Sequence, residues 1–225
     1  MTIRYQWLYD YVLRRKGSIQ ALEDSLPVPL TEEQLIAVPD SRYLSLMTQR
    51  IFRAGLRHAM VDARWPAFEE AFWGFDPEKM VLLSAEHIEQ HMQNKALIRH
   101  LGKLRSIPHN AQLVLDISRE YGGFGRFLAQ WPVDDIVSLW FLLRKRGYQL
   151  GGYSTPGFLR MAGKDTFLIT TDVVAALVGH GVIDRNPTSQ GALRDVQAAF
   201  NQLHRDSGRP LCQLSAMLAW TVNHD

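Results

Sequence analysis

The sequence predicts an all-α protein, and two observations support this. Apolar residues recur at three- and four-residue spacing almost throughout, while no long stretch alternates as a strand would. Where that period breaks, the residues are those that start or stop helices: Gly17, Thr31, Pro39, Ser84, Gly122, Pro132 and Gly147. Ile3, Trp7 and Tyr11 share one face of a first helix that Gly17 ends. Leu26-Pro-Val-Pro-Leu30 is a linker, and Thr31 with Gln34 makes a capping box for a short helix. Pro39-Asp40-Ser41 opens a longer helix carrying Leu44, Met47 and Ile51. Residues 66–73 make a short amphipathic helix, Phe75-Asp76-Pro77 restarts another, and Ser84 caps a third through Met92. A long helix from about Lys95 bends at Pro108 and closes at Tyr121-Gly-Gly. Pro132 begins the next, which runs to Arg146; further helices are expected near 156–162, 172–179, 189–206 and 211–221. About a dozen short helices with tight turns imply a single domain over residues 1–225, built as two helical lobes around a cleft.

Composition narrows the function classes. A chain of 225 residues with a 46% hydrophobic share can bury a sizeable core. No run reaches the roughly 18 apolar residues of a membrane span, and the N-terminus lacks a signal peptide's apolar stretch. No membrane partner is expected, and the lone Cys212 fits a reducing cytoplasm while excluding an intramolecular disulfide. The net charge is only +2, so bulk electrostatics would not hold a nucleic acid. Any such binding must rest on local groups, such as backbone amides at a hairpin or the clusters Arg50/Arg53/Arg57 and Arg144–Arg146, and each of these clusters is more often just a solvated helix face.

The informative segment lies within residues 139–163. An apolar helix ends at Gly147, Gly151 and Gly152 form a turn, and a second helix follows that Ser154 or Thr155 can cap and Pro156 can open. Glycine at such a place allows positive φ and a close backbone approach. The free N–H groups and positive dipole end of the second helix suit a phosphate oxygen without much net charge. An ordinary turn after a helix C-cap explains the same residues, and the physics alone leaves both open.

Neighbouring residues add a resemblance. Arg144-Lys145-Arg146-Gly147-Tyr148, then Leu150-Gly151, then Gly163, resembles the helix-hairpin-helix of the DNA-3-methyladenine glycosylase I family. So do Arg53-Ala-Gly-Leu56 followed by Trp65-Pro-Ala-Phe-Glu-Glu-Ala-Phe72, and Leu97-Ile-Arg-His-Leu-Gly-Lys103 with Asn110-Ala111. In order, these blocks cover about residues 43–163. The resemblance implies the two-lobed helix-hairpin-helix glycosylase architecture and a monofunctional DNA glycosylase of base excision repair. Its substrate would be a flipped alkylated purine, 3-methyladenine by family default, in double-stranded DNA. A non-catalytic helix-hairpin-helix protein that binds damaged DNA is the alternative.

By the same resemblance Lys145, Gly147, Gly151, Gly152, Tyr153, Ser154 and Thr155 would meet the DNA backbone. Leu56, presented by Gly55, would be the wedge that fills the gap left by the base, although a plain core leucine reads as well. His58 stands where the family has a base-stacking Trp, and Trp7 is a further pocket wall or else a core residue. Arg50 stands where the family has a base-recognising Glu; a cation there repels a cationic base, so either Arg50 points elsewhere or the lesion differs. Asp172, twenty residues past Gly152, matches the catalytic Asp of the wider superfamily and can also cap the following helix; the two roles are compatible. Its carboxylate would stabilise positive charge on the sugar and orient water. The family's zinc-holding cysteines have no counterparts, so no zinc and no other cofactor is expected, and a monovalent cation in the hairpin is left open. A monomer in the cytoplasm, associated with the nucleoid, completes the expectation. His87 and His91 are one turn apart but lack the zinc-protease spacing, and Gly122-Gly-Phe-Gly125 follows a helix rather than the strand a dinucleotide loop needs.

Overall fold

The computed structural model describes residues 3–222, and among them every regular element is helical. The first elements are α1 (Tyr5–Lys16), α2 (Ile19–Ser25), α3 (Glu32–Ala37), α4 (Asp40–Arg53) and α5 (His58–Ala71). They are followed by α6 (Pro77–Met80), α7 (Ala85–His91), α8 (Leu101–Tyr121) and α9 (Phe124–Gln130). The rest are α10 (Ile136–Arg146), α11 (Ser154–Met161), α12 (Thr171–Gly179), α13 (Gln190–Ser207) and α14 (Leu211–Ala219).

Local chemistry sets most of these boundaries. Thr31 and Gln34 form the expected reciprocal capping box on α3. Ser84 caps α7 with His87 returning the bond, which gives that histidine a structural duty. Gly122 stops α8 in the left-handed conformation. Two expectations need correction. The helix placed at residues 66–73 begins eight residues earlier, at His58, because Pro66 lies inside α5 rather than at its start. The long helix begins at Leu101, not near Lys95, where the ring of His100 accepts the Lys103 N–H; Pro108 lies within α8, which continues unbroken to Tyr121.

The chain is divided into two units. The first comprises the residues up to Leu30, Pro132–Leu139 and those from Asp165 onward; the second comprises Thr31–Trp131 and Trp140–Lys164. In the first unit, α13 buries Leu193, Val196, Phe200 and Leu203 at helical spacing. Phe200 stacks on Phe167 at 4.3 Å, and α14 adds Leu211, Leu214, Met217 and Leu218. The buried stripe of α1 is Leu8 and Val12; Ile3 is buried just ahead of the helix, while Trp7 is 38% exposed and so is not the core residue it could have been.

In the second unit α4 is the central helix, buried from Tyr43 through Gln49. Its Phe52 meets Phe68 of α5 at 4.8 Å, and Trp65 lies flat between Phe68 and Phe75. The indole N–H is not stranded by this burial, since it donates to Ser45 at 3.0 Å. Large rings at i and i+3 thus fix the α4–α5 pair, and with it the short turn between them.

Candidate nucleic-acid interface

The hairpin lies in the second unit, between the end of α10 and the start of α11. Gly147 follows α10 with its N–H on the Leu143 carbonyl at 2.8 Å. A side chain there would begin 2.4 Å from Leu150 Cδ1 and 2.8 Å from that carbonyl, so only glycine lets the turn fold back on the helix. Asn110 of α8 then clamps the next residue by both edges: its Nδ2 donates to the Tyr148 carbonyl at 3.0 Å and its Oδ1 accepts the Tyr148 N–H at 2.8 Å. The Tyr148 ring lies along His109, 5.0 Å between centroids. Gly152 takes φ +54°, the left-handed region that a branched side chain would resist. Lys145, Gly151, Gly152 and Tyr153 are exposed, so this edge is open to a partner.

Ser154 and Thr155 do not cap α11 as expected; they are its first two residues, and Tyr153 precedes them without a side-chain cap. Thr155 is buried and its hydroxyl donates back to the Leu150 carbonyl at 2.7 Å, which ties the hairpin to the helix it feeds. Ser154 does the same through its backbone, donating to Gly151 at 3.0 Å.

Two arginines close on this loop. Arg144 of α10 donates to the Gly152 carbonyl at 2.6 Å and lies against Trp140 and Phe141. Arg50 of α4 donates to the Tyr153 carbonyl at 3.2 Å. It fits because residue 157 is glycine: a Cβ there would lie 2.1 Å from Arg50 Nε. Arg50, expected in the base pocket, is thus joined to the hairpin. Burial is the main influence on both guanidinium groups and pushes each below the ordinary arginine value; for Arg50 the neighbouring Arg53 adds to it.

The turn after α4 presents the other residues expected at a base. Gly55 has φ +74° and is exposed, Leu56 is half-buried, and His58 is the exposed first residue of α5. Leu56 is therefore not a closed core leucine. The turn is held from below by Lys103, a buried residue of α8 whose Nζ donates to the carbonyls of Phe52 at 3.1 Å and Ala54 at 2.5 Å. A cation on the last carbonyls of a helix is well placed for the dipole. Burial, then Arg50, lowers the lysine below its usual range. Arg53 is bound by Asp62 through Nε and Nη2, at 2.9 and 2.7 Å.

Asp172 and Trp7 belong to the first unit. Asp172 is half-buried in the first turn of α12, but the cap of that helix is Thr170, whose hydroxyl accepts the Val173 N–H at 3.2 Å. Trp7 sets its ring edge-on to His180 at 4.4 Å, beside a recess of about 450 Å³ lined also by Arg4 and Gln6. Among the described residues no three His, Cys, Asp or Glu side chains gather where they could hold a metal ion. Sequence reasoning passed over Gly157, gave no role to Asn110 or Lys103, and named Arg144 only as part of a basic cluster, although the last three lie inside the blocks it singled out.

Comparison with known proteins bears on this geometry. Residues 36–139 match the family model of the methyladenine glycosylases, somewhat less than half of the chain; the match ends where the hairpin segment begins. A DNA-3-methyladenine glycosylase of Haemophilus influenzae is 37% identical over 76 residues, which are 34% of this chain and 41% of that protein. The structure of 3-methyladenine DNA glycosylase I from Staphylococcus aureus, solved for the basis of 3-methyladenine recognition, is 27% identical. It superposes with a TM-score of 0.51 over 64% of this chain and 84% of its own. The 8-oxoguanine DNA glycosylase of Thermotoga maritima is only 12% identical, a likeness of fold alone, yet it covers 98% of this chain and 97% of its own with a TM-score of 0.57. The chain is accordingly similar to the methyladenine glycosylases over residues 36–139, less than half of its length and of the curated relative's, and along its whole length it shares the fold of the Thermotoga maritima 8-oxoguanine DNA glycosylase.

Proposed function

We propose that the protein is a monofunctional DNA glycosylase of base excision repair that hydrolyses the N-glycosidic bond of a flipped alkylated purine. 3-Methyladenine, which the similar proteins act on or recognise by name, is the first substrate to assay. The observation that carries this reading is the hairpin over residues 147–153, exposed at Gly151 to Tyr153, clamped by Asn110 and continuous with a helix that no side chain caps. In this reading the exposed Lys145, Gly151, Gly152 and Tyr153 form the surface that meets the phosphate backbone of duplex DNA, and Gly147, Ser154 and Thr155, which are less exposed, act through the main chain of the turn that they shape. Leu56, raised on Gly55, enters the stack; His58 is a base-contacting residue of the proposal, and so, in the first unit, is Trp7.

Asp172 is the catalytic carboxylate of the proposal. As the C1′–N bond breaks, positive charge grows on the sugar, and a fixed carboxylate stabilises it more in the transition state than in the ground state. Water then forms the new C1′–O bond and gives up a proton, which the same carboxylate can accept. An alkylated base that carried a positive charge leaves as a neutral purine. The protein acts as a monomer on chromosomal DNA in the cytoplasm.

The test is single-turnover release of free base from methylated duplex DNA, comparing wild type with Asp172→Asn. The proposal expects release by wild type and a loss of about 100-fold or more in the variant. Tight duplex binding without any released base would establish the non-catalytic, damage-binding alternative instead. An unchanged rate in Asp172→Asn would remove the role of that residue.

A further inference from the structure

A monovalent cation seated on a hairpin needs several carbonyl oxygens turned towards it. The four successive carbonyls from Leu150 to Tyr153 are all engaged by the chain itself. Leu150 accepts the Thr155 hydroxyl at 2.7 Å, and Gly151 accepts the Ser154 N–H at 3.0 Å. Gly152 accepts Arg144 Nη2 at 2.6 Å; Tyr153 accepts Arg50 Nη2 at 3.2 Å and the Gly157 N–H at 3.1 Å. Two of the four therefore already accept from a charged guanidinium, and neither arginine forms an ion pair with a carboxylate among the described residues. A third cation would meet occupied oxygens and like charge on two sides. The residues present do not fit a bound metal ion.

We infer that Arg144 and Arg50 are the hairpin's built-in cations, standing where a free monovalent ion would otherwise sit, so that a DNA phosphate oxygen meets charge carried by the protein. The inference rests on the reading that this hairpin binds the DNA backbone. Both side chains are fixed for that purpose. Arg144 is backed by the rings of Trp140 and Phe141, and Arg50 is seated in the space that Gly157 leaves free. Arginine suits the place because its planar fork stays charged when half-buried and has donors left over after one carbonyl bond.

Duplex binding measured in potassium, sodium and tetramethylammonium chloride at one ionic strength tests this directly on the wild-type protein. The expected Kd is the same in all three salts to within about twofold. Arg144→Gln and Arg50→Gln are each expected to weaken binding severalfold and to lower the slope of log K against log salt by about 0.9, one phosphate contact's share. Melting temperatures of both variants establish that they are folded. Wild-type binding that is more than about twofold weaker in tetramethylammonium would overturn the inference, as would unaltered affinity and slope in both folded variants. Wild-type protein that binds duplex in none of the salts would overturn the DNA-binding reading and this inference with it.

Discussion

Gly157 is the residue on which the placement of Arg50 depends. A methyl group at this position would start 2.1 Å from Arg50 Nε, so Gly157→Ala must expel the guanidinium or shift α11. The expected cost is about 1–3 kcal/mol of stability, in the range of overpacked sites, with weakened duplex binding. In the Arg50→Ala background the same alanine should be nearly neutral, because the atom it strikes is gone. A thermal double-mutant cycle measures this as a coupling energy, and additive losses would show that the two residues do not share a site. Nothing in the sequence announces this contact. Arg50 and Gly157 are 107 positions apart, and only the crossing of α4 and α11 brings them together. Lys103 was equally hidden, since a lysine beside a histidine and a glycine reads as solvated until its ammonium is seen on two main-chain carbonyls.

At the scale of the element, the hairpin is held by Asn110 as well as shaped by its own glycines. The amide satisfies both main-chain groups of Tyr148 from a neighbouring helix. Asn110→Ala removes the side-chain partner of that part-buried N–H and carbonyl and should cost about 1–3 kcal/mol. Asn110→Asp keeps the acceptor and loses the donor, so it should fall between. Chemical denaturation ranks the three proteins, and a parallel loss of duplex affinity would tie the clamp to DNA binding. The hairpin itself was legible in the sequence because Gly147, Gly151 and Gly152 sit where an apolar helical period stops. The capping was not: Ser154 and Thr155 have the right chemistry for an N-cap, but Thr155 is drawn inward to the Leu150 carbonyl. The start of α5 was misplaced for a related reason, since Pro66 carries the same local signal whether it begins a helix or interrupts one.

At the scale of the whole molecule, the all-helical class was readable from period and caps alone, whereas the division of the chain into units was not, because each unit is assembled from separated segments. The first unit shows how such segments are joined. Arg209 donates through Nε to the Tyr5 hydroxyl at 2.7 Å and through both Nη atoms to Glu23, with Gln213 as a further partner. The hydrogen bond from Arg209 is the chief reason that the Glu23 carboxyl lies below its ordinary value of 4.5. A carboxylate whose folded value is depressed contributes stability above the unfolded value and loses it as pH falls towards the folded one. Arg209→Met should therefore lower Tm at neutral pH by roughly 2–6 °C. It should also reduce the extra loss that wild type shows as pH is taken below about 4.5, and parallel melting curves across that window would refute the link.

The segmented first unit also sets an order of events during synthesis. α1 and α2 leave the ribosome before the second unit, but their partners Arg209 and Trp220 are made after it. At about 5–20 residues per second, α1 and α2 wait on the order of ten seconds or more with Leu8, Val12 and Leu22 uncovered. The second unit, whose last segment ends at Lys164, can close while they wait. A nascent chain halted after Lys164 should thus hold a protease-resistant second unit behind a degradable N-terminal arm, and the arm should gain protection only when α13 and α14 have emerged.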